Sequence, residues 1–368
     1  MSDDPITAIT MPKWGLSMIE GTVMEWLVEE GAELKLGDEI MEIETEKIAN
    51  TFEALDAGLL RRKVAQAEEV LPIGALLGVL APHAISDAEV DAYIAEFQEN
   101  YVPPEPAEED ADGGFDTVEV AGYRLRYSKM GDADATIILI HGFGGDAERW
   151  LFTQQPLAEK ASVYALDLPG HGASTKAIAD GSVAALAGVV IGFMDALGIE
   201  SARLIGHSLG GAIAIQAAID HGDRVESLAL IAPAGLGAEI NAAYINGFIT
   251  AESRKEMKPL LQQLVADPSL INRALINDML QFKRIDGVTE ALSAIAAGFI
   301  EDATQSTDLR DGLAGLSIPV KVIWGSEDKI IPPSHAEGLP ESISVEILEG
   351  FGHLVQLEAA SQVNHLLA

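Results

Sequence analysis

The chain has 368 residues, a formal net charge of −35 and no cysteine; 48% of its residues are hydrophobic and 22% charged. That composition can bury a full core and argues against global disorder, and the length suits two or three domains. The acidity argues against nucleic acid, whose binders cluster Lys and Arg, and against electrostatic docking on anionic membranes; the lack of cysteine excludes disulfides and thiolate metal sites.

In chain order, "MSDDPITAIT" has no basic region followed by an apolar core, and it lacks an Arg-rich transit bias. The longest apolar run, "VAALAGVVIGFMDALGI", is interrupted by Asp195 and is too short to span a bilayer. A cytoplasmic protein is expected. The first 82 residues contain an internal repeat. "GTVMEWLVEEGAELKLGDEIMEI" aligns with "GLLRRKVAQAEEVLPIGALLGVL", so that Gly21 meets Gly58, Leu34 meets Leu71, Gly37 meets Gly74 and Ile40 meets Leu77. Short β-rich runs punctuated by glycine and repeated once predict two similar sheets related by a pseudo-twofold. At the junction, "EIETEKIAN" places Lys47 among Glu42, Glu44 and Glu46. A hairpin turn there would expose the amine as an addressable attachment point.

"ISDAEVDAYIAEFQENY" follows, with Ser86 and Glu89 in the form of a capping box. Val90, Tyr93, Ile94, Phe97 and Tyr101 fall at helical spacing, so one amphipathic helix must lay its stripe on a neighbouring domain or on a partner. Next, "QENYVPPEPAEEDADGG" combines three prolines with a run of carboxylates. No core can form there, and a linker is expected. The domain boundaries read as 1–82, then a helix and linker over 83–116, then a large unit over 117–368.

In that unit "ATIILIHG", "SVYALDLPG", "ARLIGHSLGG", "VESLALIAPAG" and "PVKVIWGSED" alternate with helical stretches. This predicts a mostly parallel sheet covered on both faces, with chemistry beyond the strand carboxyl ends. "GHSLGG" is G-x-S-x-G between an apolar strand and a helix, which exposes Ser208 on a strained turn. A serine needs a base, and His353 follows the strand "SVEIL". Asp328 follows "KVIWGSE" and orients that histidine in the order Ser…Asp…His; Glu327 is a rival acid. Backbone N–H groups of Leu209 and of Phe143, in "HGFGG", are the expected oxyanion hole. His141, His171, His207 and His335 read as structural, Trp150 and Trp324 as packing, and no histidine spacing suggests metal ligands. Helical sequence over about 235–312 predicts a lid, with Tyr244, Phe248 and Met257 as candidates for the acyl pocket.

Two resemblances follow from these residues. "MPKWGLSMIEGTV" and "GDEIMEIETEKI" resemble a lipoyl domain over roughly residues 5–82, with Glu46 where Asp is usual. Biotin carriers place methionine on both sides of their lysine, so the resemblance implies covalent lipoate on Lys47 of a flattened β barrel or sandwich. "HGFGG", "DLPGHGAS", "GHSLGG" and "DKIIPPSHA" resemble the α/β-hydrolase superfamily over roughly 118–368. The usual lipoyl acyltransferases end in a domain with an H-x-x-x-D-G signature, which is missing here. Together the two parts resemble the acetyltransferase components of acetoin dehydrogenase complexes. That implies acetyl transfer from lipoyl-Lys47 to coenzyme A through Ser208. It also implies two partners, a thiamine-diphosphate-dependent acetoin dehydrogenase and a dihydrolipoamide dehydrogenase. The alternative is a lipoyl-fused serine hydrolase with water as acceptor. Arg254, Lys255 and Lys258 then read either as a solvated lid face or as a cradle for coenzyme A phosphates.

Overall fold

The computed structural model describes residues 6–12, 18–45, 49–103 and 114–368. The chain divides into two units, Met1–Gly114 and Phe115–Ala368. The expected attachment residue Lys47 and most of the Pro- and acid-rich stretch lie outside the described residues.

The first unit has eight strands: β1 (Thr7–Thr10), β2 (Glu20–Trp26), β3 (Glu33–Leu34), β4 (Glu39–Glu44), β5 (Ala49–Glu53), β6 (Gly58–Lys63), β7 (Glu69–Pro72) and β8 (Leu76–Leu80). They form two four-stranded sheets, β1-β8-β6-β3 and β5-β4-β2-β7. Exchanging each strand for the one four places along converts one order into the other, as the sequence repeat requires. Gly37 and Gly74 occupy equivalent turns at φ +84° and +79°, a region that disfavours any Cβ. Val23, Met41, Ile43, Leu60 and Leu77 fill the space between the sheets. In β4 the neighbours Ile40 and Met41 are both buried, because a register shift between Glu39 and Met41 breaks the usual alternation. Glu44 pairs with Ala49, so residues 45–48 join the two strands.

Helix α1 (Asp87–Asn100) belongs to this unit. Its capping box forms as expected: Glu89 N–H donates to Ser86 Oγ, and Ser86 N–H donates to Glu89 Oε2. Val90 is buried with Leu76, Val79 and Ala81, while Tyr93, Ile94 and Phe97 pack beside them. Tyr101 Oη donates to Ile73 O at 2.6 Å. The apolar stripe therefore lies on the sheet of its own unit.

The second unit is an eight-stranded sheet in the order β18-β17-β14-β13-β11-β12-β10-β9. Its strands are β9 (Phe115–Val120), β10 (Tyr123–Met130), β11 (Thr136–Ile140), β12 (Ser162–Leu166), β13 (Ala202–His207), β14 (Val225–Ile231), β17 (Val320–Gly325) and β18 (Ile343–Leu348); β15 (Ile300–Glu301) and β16 (Thr304–Gln305) make a separate hairpin. β11 to β14, β17 and β18 pair in parallel, and β9 and β10 add an antiparallel edge. Strand residues alternate between two cores. Ile138, Ile140, Leu204 and Val322 face α3 (Val183–Ala196) and α4 (Leu209–Asp220). Ile137, Leu139, Ile205 and Ile323 face α2 (Gln154–Ala158), α10 (Val355–Glu358) and α11 (Ala360–Leu367). The long apolar run is α3, a buried helix of this core. No described helix is long and apolar enough to cross a membrane.

Between β14 and β17 the chain leaves the sheet for α5 (Ala242–Thr250), α6 (Arg254–Leu261), α7 (Arg273–Lys283) and α8 (Val288–Phe299), then returns through α9 (Arg310–Ala314). These four helices are the lid. It is tied to the loop of His353, since Leu354 N–H donates to Leu264 O and Glu358 accepts from both Ala266 N–H and Gly352 N–H.

Candidate active site

β11 and β13 are neighbours in the sheet, yet β12 comes between them in sequence. Chain direction across the sheet reverses there, and loops diverge beyond the strand ends to leave a crevice. The loops after β11 and β13, which carry Phe143 and Ser208, emerge at that point.

At the end of β13 the backbone turns sharply, with Ser208 at φ 53° and ψ −118°. L residues rarely adopt positive φ. The surroundings hold it: Ser208 N–H donates to Ile231 O at 2.9 Å, and Ser208 O accepts from Gly211 and Ala234 N–H. The turn closes only because α4 starts hard against β11. A Cβ on Gly210 would stand 2.1 Å from Ile140 O. Ser208 thus sits at the N-terminus of α4, whose partial positive charge favours an anionic oxygen.

His353 lies in the loop between β18 and α10, and its Nδ1 is 2.7 Å from Asp328 Oδ2. A carboxylate only accepts, so Nδ1 carries the proton and Nε2 is the basic nitrogen. The Asp328 side chain is fully buried. Its Oδ1 accepts from Ile330 and Ile331 N–H at 2.8 and 3.0 Å, and Trp324 Nε1 donates to Oδ2 at 3.0 Å. Hydrogen bonds from four sides hold this carboxylate in one orientation. The rival Glu327 is exposed. His207 Nε2 donates to His353 O at 2.9 Å, which joins the His353 loop to the end of β13.

The loop after β11 comes up against the serine: a Cβ placed on Gly142 would be 3.0 Å from Ser208 Cβ. His171 Nε2 accepts the Gly144 N–H at 3.1 Å, and His141 Nε2 accepts the Leu168 N–H at 3.0 Å. Buried Asp167 accepts from Ala147 and Ala173 N–H and from Arg126. The loop is therefore fixed by side chains behind it. Among the described residues, no hydrogen bond takes the backbone N–H of Phe143 or Leu209. Burial pushes His141 down to about 4 and holds His171 and His207 well below the ordinary histidine range. These three are neutral near pH 7 and serve as structural acceptors and donors.

Ser208, His353 and Phe143 line one apolar pocket of about 40 Å³, walled by Tyr244, Phe248, Met279, Phe299 and Ile330. Met257, the third candidate from the lid, is instead buried in the helix packing behind it. Two residues gain roles that their sequence context does not announce. Arg149 lines the pocket, and its guanidinium donates to Met279 Sδ, a weak acceptor, at 3.1 Å. Trp324, expected as packing alone, holds the acid. Arg149 follows the "HGFGG" loop by four residues, which is the one signal available for it.

The architecture and this pocket define an α/β-hydrolase-fold acyl-transfer protein with a lipoyl-type domain ahead of it. Residues 135–360 match the α/β-hydrolase fold family, and residues 7–80 match the family described as biotin-requiring enzymes. The chain is 48% identical over 363 residues to the dihydrolipoyllysine-residue acetyltransferase component of the acetoin cleaving system of Cupriavidus necator, covering 98% of this chain and 96% of that one. It is 45% identical over 360 residues to the component of the same name from Pseudomonas putida, again covering 98% and 96%. Among solved structures, a meta-cleavage product hydrolase from Pseudomonas fluorescens superposes with a TM-score of 0.63 at 26% identity, covering 68% of this chain and 95% of that one. The chain belongs to the family of dihydrolipoyllysine-residue acetyltransferase components of acetoin cleaving systems.

Proposed function

We propose that the chain moves an acetyl group from a lipoyl arm on Lys47 to coenzyme A by way of an acetyl-serine at Ser208. One observation carries this reading. A serine pocket of acetyl size, served by an oriented His353–Asp328 pair, shares a chain with a β-hairpin whose four connecting residues, 45–48, include Lys47. Lipoate amide-linked to that lysine would supply the dithiol that carries the acetyl group as a thioester.

The chemistry of the residues follows from their placement. Ser208 Oγ attacks the thioester carbon while His353 Nε2 takes its proton. The backbone N–H groups of Phe143 and Leu209 receive the oxyanion. The carbon–sulfur bond breaks, and His353 returns the proton to the departing sulfur. Coenzyme A thiol then gives its proton to His353 Nε2 and attacks the acetyl carbon. The bond to Oγ breaks, and Ser208 regains the proton. Asp328 keeps the imidazole in one tautomer and stabilises its cation throughout. Two partner enzymes complete the cycle: a thiamine-diphosphate-dependent acetoin dehydrogenase to supply acetyl, and a dihydrolipoamide dehydrogenase to reoxidise the dithiol.

Acetyl-dihydrolipoamide with purified protein, with and without coenzyme A, tests the reading. Acetyl-coenzyme A should form, and Ser208→Ala should abolish it while one lipoyl adduct remains on the intact protein. Lys47→Arg should remove that adduct. Near-normal acetyl-coenzyme A production by Ser208→Ala would rule out the acetyl-serine. The likeness to a hydrolase favours a second reading, in which water resolves the acyl-serine. It predicts free acetate at the same rate whether or not coenzyme A is present.

A further inference from the structure

The lid carries a second pocket, an open cavity of about 580 Å³. Arg254, Lys255 and Arg284 line it with cations, Asn277 and Gln281 with amides, and Glu252 with one carboxylate. In a chain of net charge −35, three cations around one cavity run against the composition. None of the three forms an ion pair among the described residues. Arg254 Nε donates to the neutral Asn277 Oδ1 at 2.6 Å, which orients the guanidinium without neutralising it. Glu256, next to Lys255 in sequence, is occupied by the cap of α6, where it accepts from Ser253 N–H and Oγ. Lys283 does not line the cavity; its ammonium donates to Ala251 O.

The same lid elements wall both pockets. Phe248 of α5, Leu261 of α6 and Met279 of α7 face Ser208. Glu252 beyond the end of α5, Arg254 and Lys255 of α6, and Arg284 beyond the end of α7 line the second cavity. At the rise of a helix, Met279 and Arg284 are about 7 Å apart along α7, and Leu261 and Arg254 about 10 Å apart along α6. The serine pocket, at about 40 Å³ and apolar walled, has no room for phosphates. An acceptor with a thiol on a long neutral arm and phosphates at the far end must therefore rest its anionic end elsewhere. Against so acidic a chain it needs local cations to do so.

We propose that Arg254, Lys255 and Arg284 bind the phosphate end of coenzyme A, and that its thiol arm passes between the lid helices to Ser208. This rests on coenzyme A being the acceptor. Lys258, grouped with Arg254 and Lys255 by sequence, does not line the cavity, whereas Arg284 does.

The test compares coenzyme A with pantetheine, which has the same thiol arm and no nucleotide, using acetyl-dihydrolipoamide as donor. For the native protein the KM for coenzyme A should be at least about tenfold below that for pantetheine, since each charge-assisted phosphate contact is strong. In the variant Arg254→Ala/Lys255→Ala/Arg284→Ala, the coenzyme A KM should rise to the pantetheine value. The kcat and the pantetheine KM should stay within about twofold, which also reports an intact fold. Lys258→Ala should change neither KM. Adenosine 3′,5′-bisphosphate should compete with coenzyme A on native protein but not with pantetheine, a result that needs no variant. Equal KM values for the two thiols on native protein, or an unchanged coenzyme A KM in the triple variant, would overturn the site while leaving acetyl transfer to thiols in place. Acetate release with neither thiol acetylated would instead remove the acceptor reading, and this proposal with it.

Discussion

Asp328 accepts four hydrogen bonds, from His353, Trp324, Ile330 and Ile331. All four partners are donors, so both carboxylate oxygens must act as acceptors. Asp328→Asn retains the shape but offers an amide donor to groups that are themselves donors, and it lets His353 adopt the wrong tautomer. Acyl transfer should fall by about 10³–10⁴-fold. Initial rates on acetyl-dihydrolipoamide with coenzyme A would measure this, and a loss under tenfold would mean that Asp328 does not orient the base. The neutral histidines make a separate prediction. His141, pushed down to about 4 by burial, and His171 and His207, lowered for the same reason, bind fewer protons folded than unfolded below about pH 6.5. Stability contributed by them is present above that value and is lost as pH falls toward 4. Asp146, raised to about 6 by burial, works in the opposite sense, because its folded form gains a proton between its ordinary value and 6. Glu358, also raised by burial, acts with it, and three imidazoles outweigh two carboxylates. The melting temperature of the hydrolase transition should drop steadily from pH 7 to pH 5. A flat or rising profile would show that the imidazoles are not kept neutral.

At the scale of elements, the Ser208 turn and the lid together shape the pocket. Phe248 of α5 stands over Gly144 of the loop after β11, its ring meeting Phe143 at 6.1 Å between centroids. It closes the small pocket above Ser208. Phe248→Ala should raise the butyryl-to-acetyl rate ratio by about tenfold, the usual worth of pocket space for added methylenes. It should also destabilise the unit by about 3–5 kcal/mol. Competing acyl-dihydrolipoamides would report the ratio, and an unchanged preference would show that another side chain sets the acyl limit. The strand, turn and helix around Ser208 were legible in sequence because the whole device is local: "ARLIGHSLGG" contains the strand, the strained residue and the glycine that Ile140 O requires. The pseudo-twofold was legible for the same reason, since Gly37 and Gly74 mark equivalent turns. The lid was legible only as helices. Which faces of α5, α6 and α7 point at Ser208 depends on packing between segments far apart in sequence. Met257 and Lys258 were therefore grouped with residues they do not join, Arg149 and Arg284 were passed over, and Trp324 was read as packing alone. Lys47 and most of the linker were named from sequence and lie outside the described residues.

Over the whole molecule, two units each have a core of their own. Cutting the chain near Pro104 should leave both folded and each competent on small free substrates. On the proposed reaction, covalent continuity should hold Lys47 at roughly millimolar effective concentration relative to Ser208. Coupled transfer from the partner dehydrogenase to coenzyme A should therefore fall steeply when the halves are mixed at micromolar concentration. Equal coupled rates for split and intact protein would remove any reason for the two units to share a chain.

Helix α1 alters what counts as a portable carrier. Its Val90 covers Leu76, Val79 and Ala81, Tyr101 is tied to Ile73, and Arg61 and Arg62 meet Asp87 and Asp91. A lipoyl fragment cut after the last strand, at residue 82, would turn that sheet face into exposed oil. One ending at residue 103 would keep it covered. A lipoate ligase offered both should find the longer fragment a monodisperse substrate, and the shorter one should self-associate on size exclusion even if its lysine is still modified. The graftable module would then be a sandwich with its own splint, about twenty residues longer than the strands alone would indicate.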